Sequence, residues 1–229
     1  MKVWQVVARA ETPEGLPLVL SRSGDDFLIR VNGRGLMASD QHGSEEALAA
    51  RGCERARALA APTVLVGGLG MGFTLRAALD ALPPGARVVV AELLPAVVAW
   101  NRGPLAELAG RPLDDVRVEV VEGDVAALLE ARAGAFDAIL MDVDNGPVAM
   151  VEETNAGLYD ARGLARARRA LRPGGRLVVW SAGPDARFVA RLRAAGFEAA
   201  AEVVKATPGR GARDHTLFVA LRPDDAQRA

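Results

Sequence analysis

Glycine recurs at every second position in one short stretch, Gly68, Gly70 and Gly72, shortly after the β-rich run at residues 63–66. Glycines at such a turn allow a tight strand-to-helix connection, and the N-terminus of the following helix favours a polar or negative ligand group. The dinucleotide fingerprint requires a small residue at position 73, where this chain has Phe73. The G-x-G-x-G spacing is instead that of proteins that bind a nucleoside sulfonium such as S-adenosylmethionine. The alternative is a tight turn without a ligand.

Acidic residues follow the next two apolar runs. Glu92 lies 20 residues after Gly72, where a carboxylate accepts hydrogen bonds from both ribose hydroxyls and repels a 2′-phosphate. The alternative is a solvated carboxylate at a strand end. Asp124 follows the third run, and it either accepts from an adenine amino group or caps a helix that begins at Val125. The glycines, Glu92 and Asp124 together predict a site for a nucleoside cofactor.

Two further carboxylates, Asp142 and Asp144, follow the fourth apolar run, residues 136–141. Because ligands of open α/β sheets bind beyond the carboxyl ends of the strands, we expect both side chains to face the reacting group. Two close carboxylates can hold a cationic acceptor and take its proton as attack begins. For Asp144 the alternative is an Asx turn into Asn145 and Gly146.

The elements that must position these residues alternate regularly after Pro62. We predict strands at residues 63–66, 87–91, 116–121, 136–141, 176–180, 198–204 and 215–221. We predict helices at residues 73–82, 95–109, 125–133, 163–171 and 185–195, and residues 173–175 as a stop signal. This order indicates a mostly parallel sheet of seven strands covered on both faces, with one antiparallel strand inserted near an edge.

The first 43 residues have a different pattern. Short β-rich runs at residues 3–8, 17–20 and 27–31 are separated by turn clusters, and Asn32-Gly33 favours a hairpin turn. From Ser44 the pattern becomes helical, with Ser44 as a capping residue and Cys53 on the apolar face. We therefore predict a small N-terminal β-hairpin domain at residues 1–43 and a Rossmann-like domain at residues 44–229.

Composition excludes several classes of function. The 229 residues include 28 basic and 29 acidic side chains and only 4% aromatic residues, which argues against a nucleic-acid partner. One cysteine and two histidines argue against an internal disulfide and against a histidine-rich metal site, so we expect no metal. The N-terminus has no signal-peptide apolar region, and no apolar run has the roughly 18 residues of a membrane span. We expect a cytoplasmic protein without a membrane partner.

Several of these motifs resemble the spermidine synthase family, the polyamine aminopropyltransferases within the class I S-adenosylmethionine-dependent methyltransferase fold. The resemblance covers roughly residues 17–205 and is carried by Gly68-x-Gly70-x-Gly72-Phe-Thr-Leu-Arg, Glu92, Gly123-Asp124, Asp142 with Gly146-Pro147, Leu158-Tyr159 and Leu171-Arg-Pro-Gly-Gly175. It implies S-adenosylmethionine or its decarboxylated form as cofactor, a small acceptor such as an amine, and Asp142 and Asp144 as the catalytic carboxylates. A homodimer is one possible assembly.

The resemblance also implies that the segment around residues 40–46 contacts the acceptor. We name His42, Glu46 and Tyr159 as candidate acceptor-binding residues; the alternatives are an exposed His42 and a Tyr159 that packs at a helix start. We interpret Trp180 as a core residue. His215 begins a strand that we place away from the site, and we assign it no role.

Three departures from the family pattern bear on the reaction. Met71 stands where the family has a loop aspartate that anchors the amine of decarboxylated S-adenosylmethionine, Ser44 replaces a tyrosine, and the loop after Asp142 is two residues shorter. The sequence therefore leaves open aminopropyl transfer, methyl transfer to a small molecule, and a nucleoside-binding homologue that has lost catalysis. Phe73 disfavours an NAD-dependent oxidoreductase.

Overall fold

A computed structural model of the chain describes residues 2–143, 156–207 and 213–224. Its strands are β1 (Gln5–Glu11), β2 (Pro17–Ser23), β3 (Asp26–Val31), β4 (Arg34–Ala38), β5 (Thr63–Gly67), β6 (Arg87–Glu92), β7 (Val118–Glu122), β8 (Phe136–Met141), β9 (Leu171–Ser181), β10 (Glu198–Lys205) and β11 (Asp214–Leu221). Its α-helices are α1 (Gly43–Ala56), α2 (Phe73–Ala81), α3 (Pro95–Arg102), α4 (Val125–Ala131), α5 (Ala156–Tyr159), α6 (Ala161–Ala170) and α7 (Ala186–Ala194).

The N-terminal strands form an antiparallel sheet in the order β1-β2-β3-β4. Asn32 and Gly33 both have positive φ, 46° and 75°, as a two-residue hairpin turn between β3 and β4 requires. The predicted hairpin turn is therefore confirmed. Inward-facing residues of this sheet, such as Leu20 and Ile29, belong to the same hydrophobic cluster as residues of α1 and β5. The boundary after residue 43 stays a prediction.

The second sheet has, within the described residues, the strand order β10-β11-β9-β8-β5-β6-β7. Strands β5 to β9 are parallel to their neighbours among themselves, and β11 is antiparallel to both β9 and β10. The predicted Rossmann-like fold with one antiparallel strand near an edge is confirmed. The strand order reverses at β5, so the crevice beyond the carboxyl ends of β5 and β8 is where a ligand is expected.

Hydrophobic residues on both faces of this sheet explain why helices cover it on both sides. Along β5, Val64 and Val66 pack in a cluster with α1, α2 and α3, whereas Leu65 packs in another with α4, α6 and α7. All three side chains are fully buried. Because the parallel strands are buried on both faces, they are continuous apolar runs in the sequence.

Cys53 is buried on α1, as predicted.

Several element boundaries and one cap differ from the prediction, and the structure gives a reason for three of these differences. Helix α3 ends at Arg102 because Gly103, which precedes a proline, leaves the helical conformation (φ −121°, ψ −111°). Strand β9 begins at Leu171, since the predicted stop residues 173–175 form a bulge between two segments that both pair with β8. Ser44 does not cap α1, because the helix begins at Gly43 and Ser44 is fully buried.

Candidate active site

The glycine loop connects β5 to α2 and lies against the end of β8. Gly68, Gly70 and Gly72 have φ values of 89°, 53° and 88°, a region that other residues rarely adopt. A Cβ atom at Gly68 would lie 2.3 Å from the carbonyl oxygen of Asp142. Glycine is thus required at position 68 by both backbone conformation and close approach.

A buried amide on α3 holds this loop in place. The Asn101 side chain donates hydrogen bonds from Nδ2 to the carbonyl oxygens of Gly70 (2.8 Å) and Val97 (2.9 Å), and it is only 2% exposed. Asn101 was not found from the sequence. The available signal was a single amide on the otherwise apolar side of the helix that follows Glu92.

Glu92, at the end of β6, is fixed by backbone donors on two sides. Its Oε2 accepts from the N–H of Leu69 in the glycine loop (2.9 Å), and its Oε1 accepts from the N–H of Leu94 (2.8 Å). The side chain is 8% exposed. A carboxylate offers roughly four acceptor positions, so these bonds orient it without exhausting its capacity for further donors.

Asp124 caps α4, which is one of the two alternatives raised by the sequence. Its side chain accepts from the N–H of Ala126 (2.8 Å), and the residue is exposed. Asp124 also lines a cavity together with Glu92. The cap and a contact with a base are compatible, because only one carboxylate oxygen is engaged by the cap; the base contact stays a prediction.

Asp142 follows β8 and is oriented by a residue of α2. Thr74 donates a hydrogen bond from Oγ1 to Asp142 Oδ2 (2.6 Å), and Thr74 is 1% exposed. The N–H of Asp142 donates to the carbonyl oxygen of Gly67 (2.8 Å). Sequence reasoning missed Thr74, although its place in the first turn after the glycine loop was a signal. The predicted residue Asp144 lies outside the described residues.

Two adjoining cavities, of about 320 and 140 Å³, open at this edge of the sheet. Glu92 and Asp124 line the smaller cavity, and Glu45 and His215 line the larger one. Asp142 lines both, as do Gly70 and the apolar side chains of Leu36 and Met37 on β4. Asp142 therefore lies where the two cavities meet.

His215 is part of this site, so the prediction that it lies elsewhere is wrong. Because β11 is antiparallel, its first residues lie beside the last residues of β9, and Thr216 pairs with Ser181. His215 is 8% exposed and packs edge-to-face against Trp180, with 4.7 Å between the ring centroids. Trp180 is half-buried and packs against the hydrophobic core, as predicted, but it also lines the larger cavity.

A chain of hydrogen bonds connects His215 to α1. Ser44 donates from Oγ to Glu45 Oε2 (2.6 Å), and His215 Nδ1 lies 2.9 Å from the same Ser44 oxygen. Burial lowers the pKa of His215, and Arg213 lowers it further, while Asp214 raises it. Burial raises the pKa of Glu45, and the hydrogen bond from Ser44 opposes this shift.

The acceptor-binding residues named from the sequence lie differently. His42 stacks on Phe73 (centroids 4.3 Å apart), and its Nδ1 lies 2.9 Å from Glu46 Oε1. Neither His42 nor Glu46 is among the described residues that line the two cavities, whereas Glu45 is. Adjacent helical residues point about 100° apart, so only one of two consecutive glutamates faces the cavity.

Tyr159 packs in the hydrophobic core, which is the second alternative raised for it. It is buried and meets Phe188 edge-to-face with 5.6 Å between the ring centroids. Its neighbour Leu158 lines the smaller cavity instead.

In the part of the chain that the structure describes, no group of three or more histidine, cysteine, aspartate or glutamate side chains is arranged to hold a metal ion. No helix in these described segments is both long enough and apolar enough to cross a bilayer.

Comparison with known proteins shows which solved structures have a similar fold. No protein-family model matches the chain, and no curated protein matches it in sequence. The structure is similar to a spermidine synthase from Thermotoga maritima, with a TM-score of 0.75 and 18% identity over 96% of this chain and 73% of that chain. A spermidine synthase in complex with the transition state analogue AdoDATO gives 0.73, at the same identity and coverage. A probable spermidine synthase from Corynebacterium glutamicum ATCC 13032 gives 0.67 at 18% identity, over 96% of this chain and 81% of that chain.

Proposed function

We propose that the chain is a transferase that moves a carbon group from a nucleoside sulfonium, S-adenosylmethionine or its decarboxylated form, to a small amine. One observation carries this proposal: Asp142 lines both the cavity that contains Glu92 and the cavity that contains Glu45 and His215. A donor in the first cavity and an acceptor in the second would meet at Asp142. The similarity in fold to spermidine synthases agrees with this arrangement.

The smaller cavity suits the nucleoside. Glu92 is oriented by two backbone N–H groups and would accept hydrogen bonds from the ribose hydroxyls. Asp124 would accept from the adenine amino group. The glycine loop brings backbone within reach of the rest of the donor, since a side chain at Gly68 would occupy the space taken by Asp142. Two carboxylates also favour a cationic sulfonium.

The larger cavity suits an amine with an apolar chain. Its described lining combines the carboxylates of Asp142 and Glu45 with apolar side chains, among them Leu28, Met71 and Trp180. Asp142, held by Thr74, would bind the amine and orient it for attack on the donor carbon. Positioning contributes much of the rate in such a displacement, because the sulfonium is already a good leaving group.

Met71 favours methyl transfer as a second candidate. It is buried, lines the larger cavity and stands where the family has the aspartate that binds the donor amine. The first turn of α2 also contains no acidic residue. A helix N-terminus without a carboxylate of its own favours a negative ligand group, and S-adenosylmethionine, unlike its decarboxylated form, still has a carboxylate.

Calorimetric titration and product analysis test the proposal. The protein is titrated with S-adenosylmethionine, with its decarboxylated form and with NAD, and then incubated with each sulfonium and diamines of three to five carbons. Methylthioadenosine identifies aminopropyl transfer, and S-adenosylhomocysteine identifies methyl transfer. Binding without either product would support the non-catalytic homologue, and absence of binding by both sulfoniums would contradict the proposal.

A further inference from the structure

Three side chains beside the larger cavity form a relay that the sequence motifs do not assign. The Ser44 hydroxyl has a single proton, and when Glu45 is ionised the hydroxyl donates it to that carboxylate. Its oxygen must then accept from the other partner, so Nδ1 of His215 carries a proton. A neutral imidazole protonated at Nδ1 has its lone pair on Nε2. The relay therefore sets the tautomer of His215.

The position of His215 relates this lone pair to the acceptor. His215 is nine-tenths buried and lines the cavity that also contains Asp142. No described residue makes a hydrogen bond with its Nε2. Its Nδ1 is engaged by Ser44, and its ring is held against Trp180. The imidazole is thus fixed, with one nitrogen turned to the relay and the other available to a ligand.

Burial, together with the positive charge of Arg213, favours the neutral form of His215. The pKa of His215 is lowered by burial first and by Arg213 second, while Asp214 raises it; Arg213 directly precedes β11 and Asp214 is its first residue. Lys205 of β10 is paired with Asp214. Glu45 acts from α1 through Ser44, and Asp142 faces the same cavity from β8. A neutral imidazole can accept a proton.

We propose that Nε2 of His215 is the proton acceptor for the amine substrate, and that Ser44 and Glu45 are its positioning residues. This inference rests on the transferase function proposed above. In the step, the bound ammonium gives one proton to Nε2 of His215, which becomes an imidazolium. The lone pair freed on nitrogen forms the new C–N bond, and the C–S bond of the sulfonium breaks with its electron pair left on sulfur.

His215 suits this role better than the carboxylate beside it. Asp142 is already oriented by the hydrogen bond that it accepts from Thr74, which suits it to hold the ammonium in place. The ordinary pKa of imidazole, about 6.5, is closer to neutrality than that of an aspartate, about 3.9. A general base works best when its pKa is near the working pH. Asp142 then binds and orients the ammonium while His215 deprotonates it.

The tautomer is tested by nitrogen NMR on the intact protein. The chain has two histidines, so the His42→Gln variant assigns the remaining imidazole signals to His215. We expect neutral His215 to be protonated at Nδ1, and we expect Ser44→Ala to weaken that preference. A neutral His215 protonated at Nε2 in the wild type overturns the inference, whatever the activity.

Kinetics test the proton transfer itself. In His215→Asn the side-chain amide can still donate to Ser44 but has no basic nitrogen, so we expect kcat/KM to fall by roughly 10²–10⁴-fold with sulfonium binding retained. Arg213→Gln removes a positive charge, so the acid limb of the pH profile should move to higher pH together with the NMR pKa of His215. The control Arg187→Gln, on the exposed side of α7, should move neither.

The outcomes separate the two proposals. Sulfonium binding without turnover of any amine contradicts the transferase function, and the inference falls with it. Turnover that is unchanged in His215→Asn, or an acid limb that does not follow the His215 pKa in Arg213→Gln, overturns only the inference. The Arg213 variant leaves the buried imidazole in place and therefore remains informative if His215→Asn fails to fold.

Discussion

Replacement of Glu92 by glutamine tests the nucleoside site with a change of almost constant shape. One carboxylate oxygen becomes an NH₂ group, so one of the two backbone donors, Leu69 or Leu94, loses its acceptor. Hydrogen bonds to charged groups contribute about 1.5–3 kcal/mol each, and an unpaired buried donor costs a similar amount. Since Glu92 is 8% exposed, we expect Glu92→Gln to lower the free energy of unfolding by about 2 kcal/mol.

The same change should weaken sulfonium binding. One charge-assisted contact with a ribose hydroxyl is lost, at about 1.5–3 kcal/mol, and each 1.4 kcal/mol corresponds to a factor of ten in Kd. We therefore expect a Kd that is roughly 10–100-fold higher in calorimetric titration. Urea denaturation of the unliganded protein gives the stability change separately, and all titrations are made where the variant is fully folded.

Glu122→Gln is the matched control, because Glu122 pairs with Glu92 in register at the end of the neighbouring strand and is exposed. It should change neither the stability nor the Kd appreciably. An unchanged Kd in Glu92→Gln, or an equal loss in Glu122→Gln, would refute the assignment of Glu92 to the ribose. Loss of stability with full retention of binding would show that Glu92 acts only on the loop.

Three other predictions concern Thr74, Asp115 and Cys53. Thr74→Val removes the donor to Asp142, so we expect a lower kcat with sulfonium binding retained, measured by product release and calorimetry. The Arg117 guanidinium lowers the pKa of Asp115 from 3.8 to about 2. Asp115→Asn should therefore lower the free energy of unfolding by ~2 kcal/mol above pH 4, where the carboxylate is charged in both the folded and the unfolded chain. The loss should become smaller as the pH falls toward 2, and urea denaturation at several pH values measures it. Burial raises the pKa of Cys53 to about 12. The thiol should therefore react with a disulfide reagent at pH 8 only after the protein is denatured. Fast reaction in the native protein would contradict the burial of Cys53.

The part of the site that could be predicted from the sequence is the part that follows from strand order. Gly68 and Asp142 directly follow buried parallel strands, and Glu92 is the last residue of one. The carboxyl ends of parallel strands meet at one edge of the sheet. Residue type and position in the sequence were therefore enough to predict that these three residues lie close together. The fold could be predicted for a related reason, because apolar runs bounded by turn residues alternate with helical segments along the chain after Pro62.

The residues that were missed act through contacts that spacing does not encode. Thr74 and Asn101 make hydrogen bonds with groups that are 68 and 31 residues away in the sequence. The residue type of Thr74 alone does not indicate such a contact. Glu46 was named from the resemblance of the segment around residues 40–46, and a shift of one residue on a helix turns a side chain by about 100°. Helix phase, rather than residue type, decides which of these two glutamates lines the cavity.

The position of His215 was predicted wrongly because the direction of its strand was not taken into account. The rule that ligands bind at the carboxyl ends of strands holds for parallel strands, and His215 stands at the start of its strand. The sequence, however, also predicts one antiparallel strand near an edge of the sheet, without identifying which strand it is. An antiparallel strand inserted in a parallel sheet begins at the edge where its neighbours end, as the pairing of Thr216 with Ser181 demonstrates. In such sheets the first residues of the antiparallel strand belong with the strand-end carboxylates as site candidates, and here that rule selects the histidine that we propose as the base.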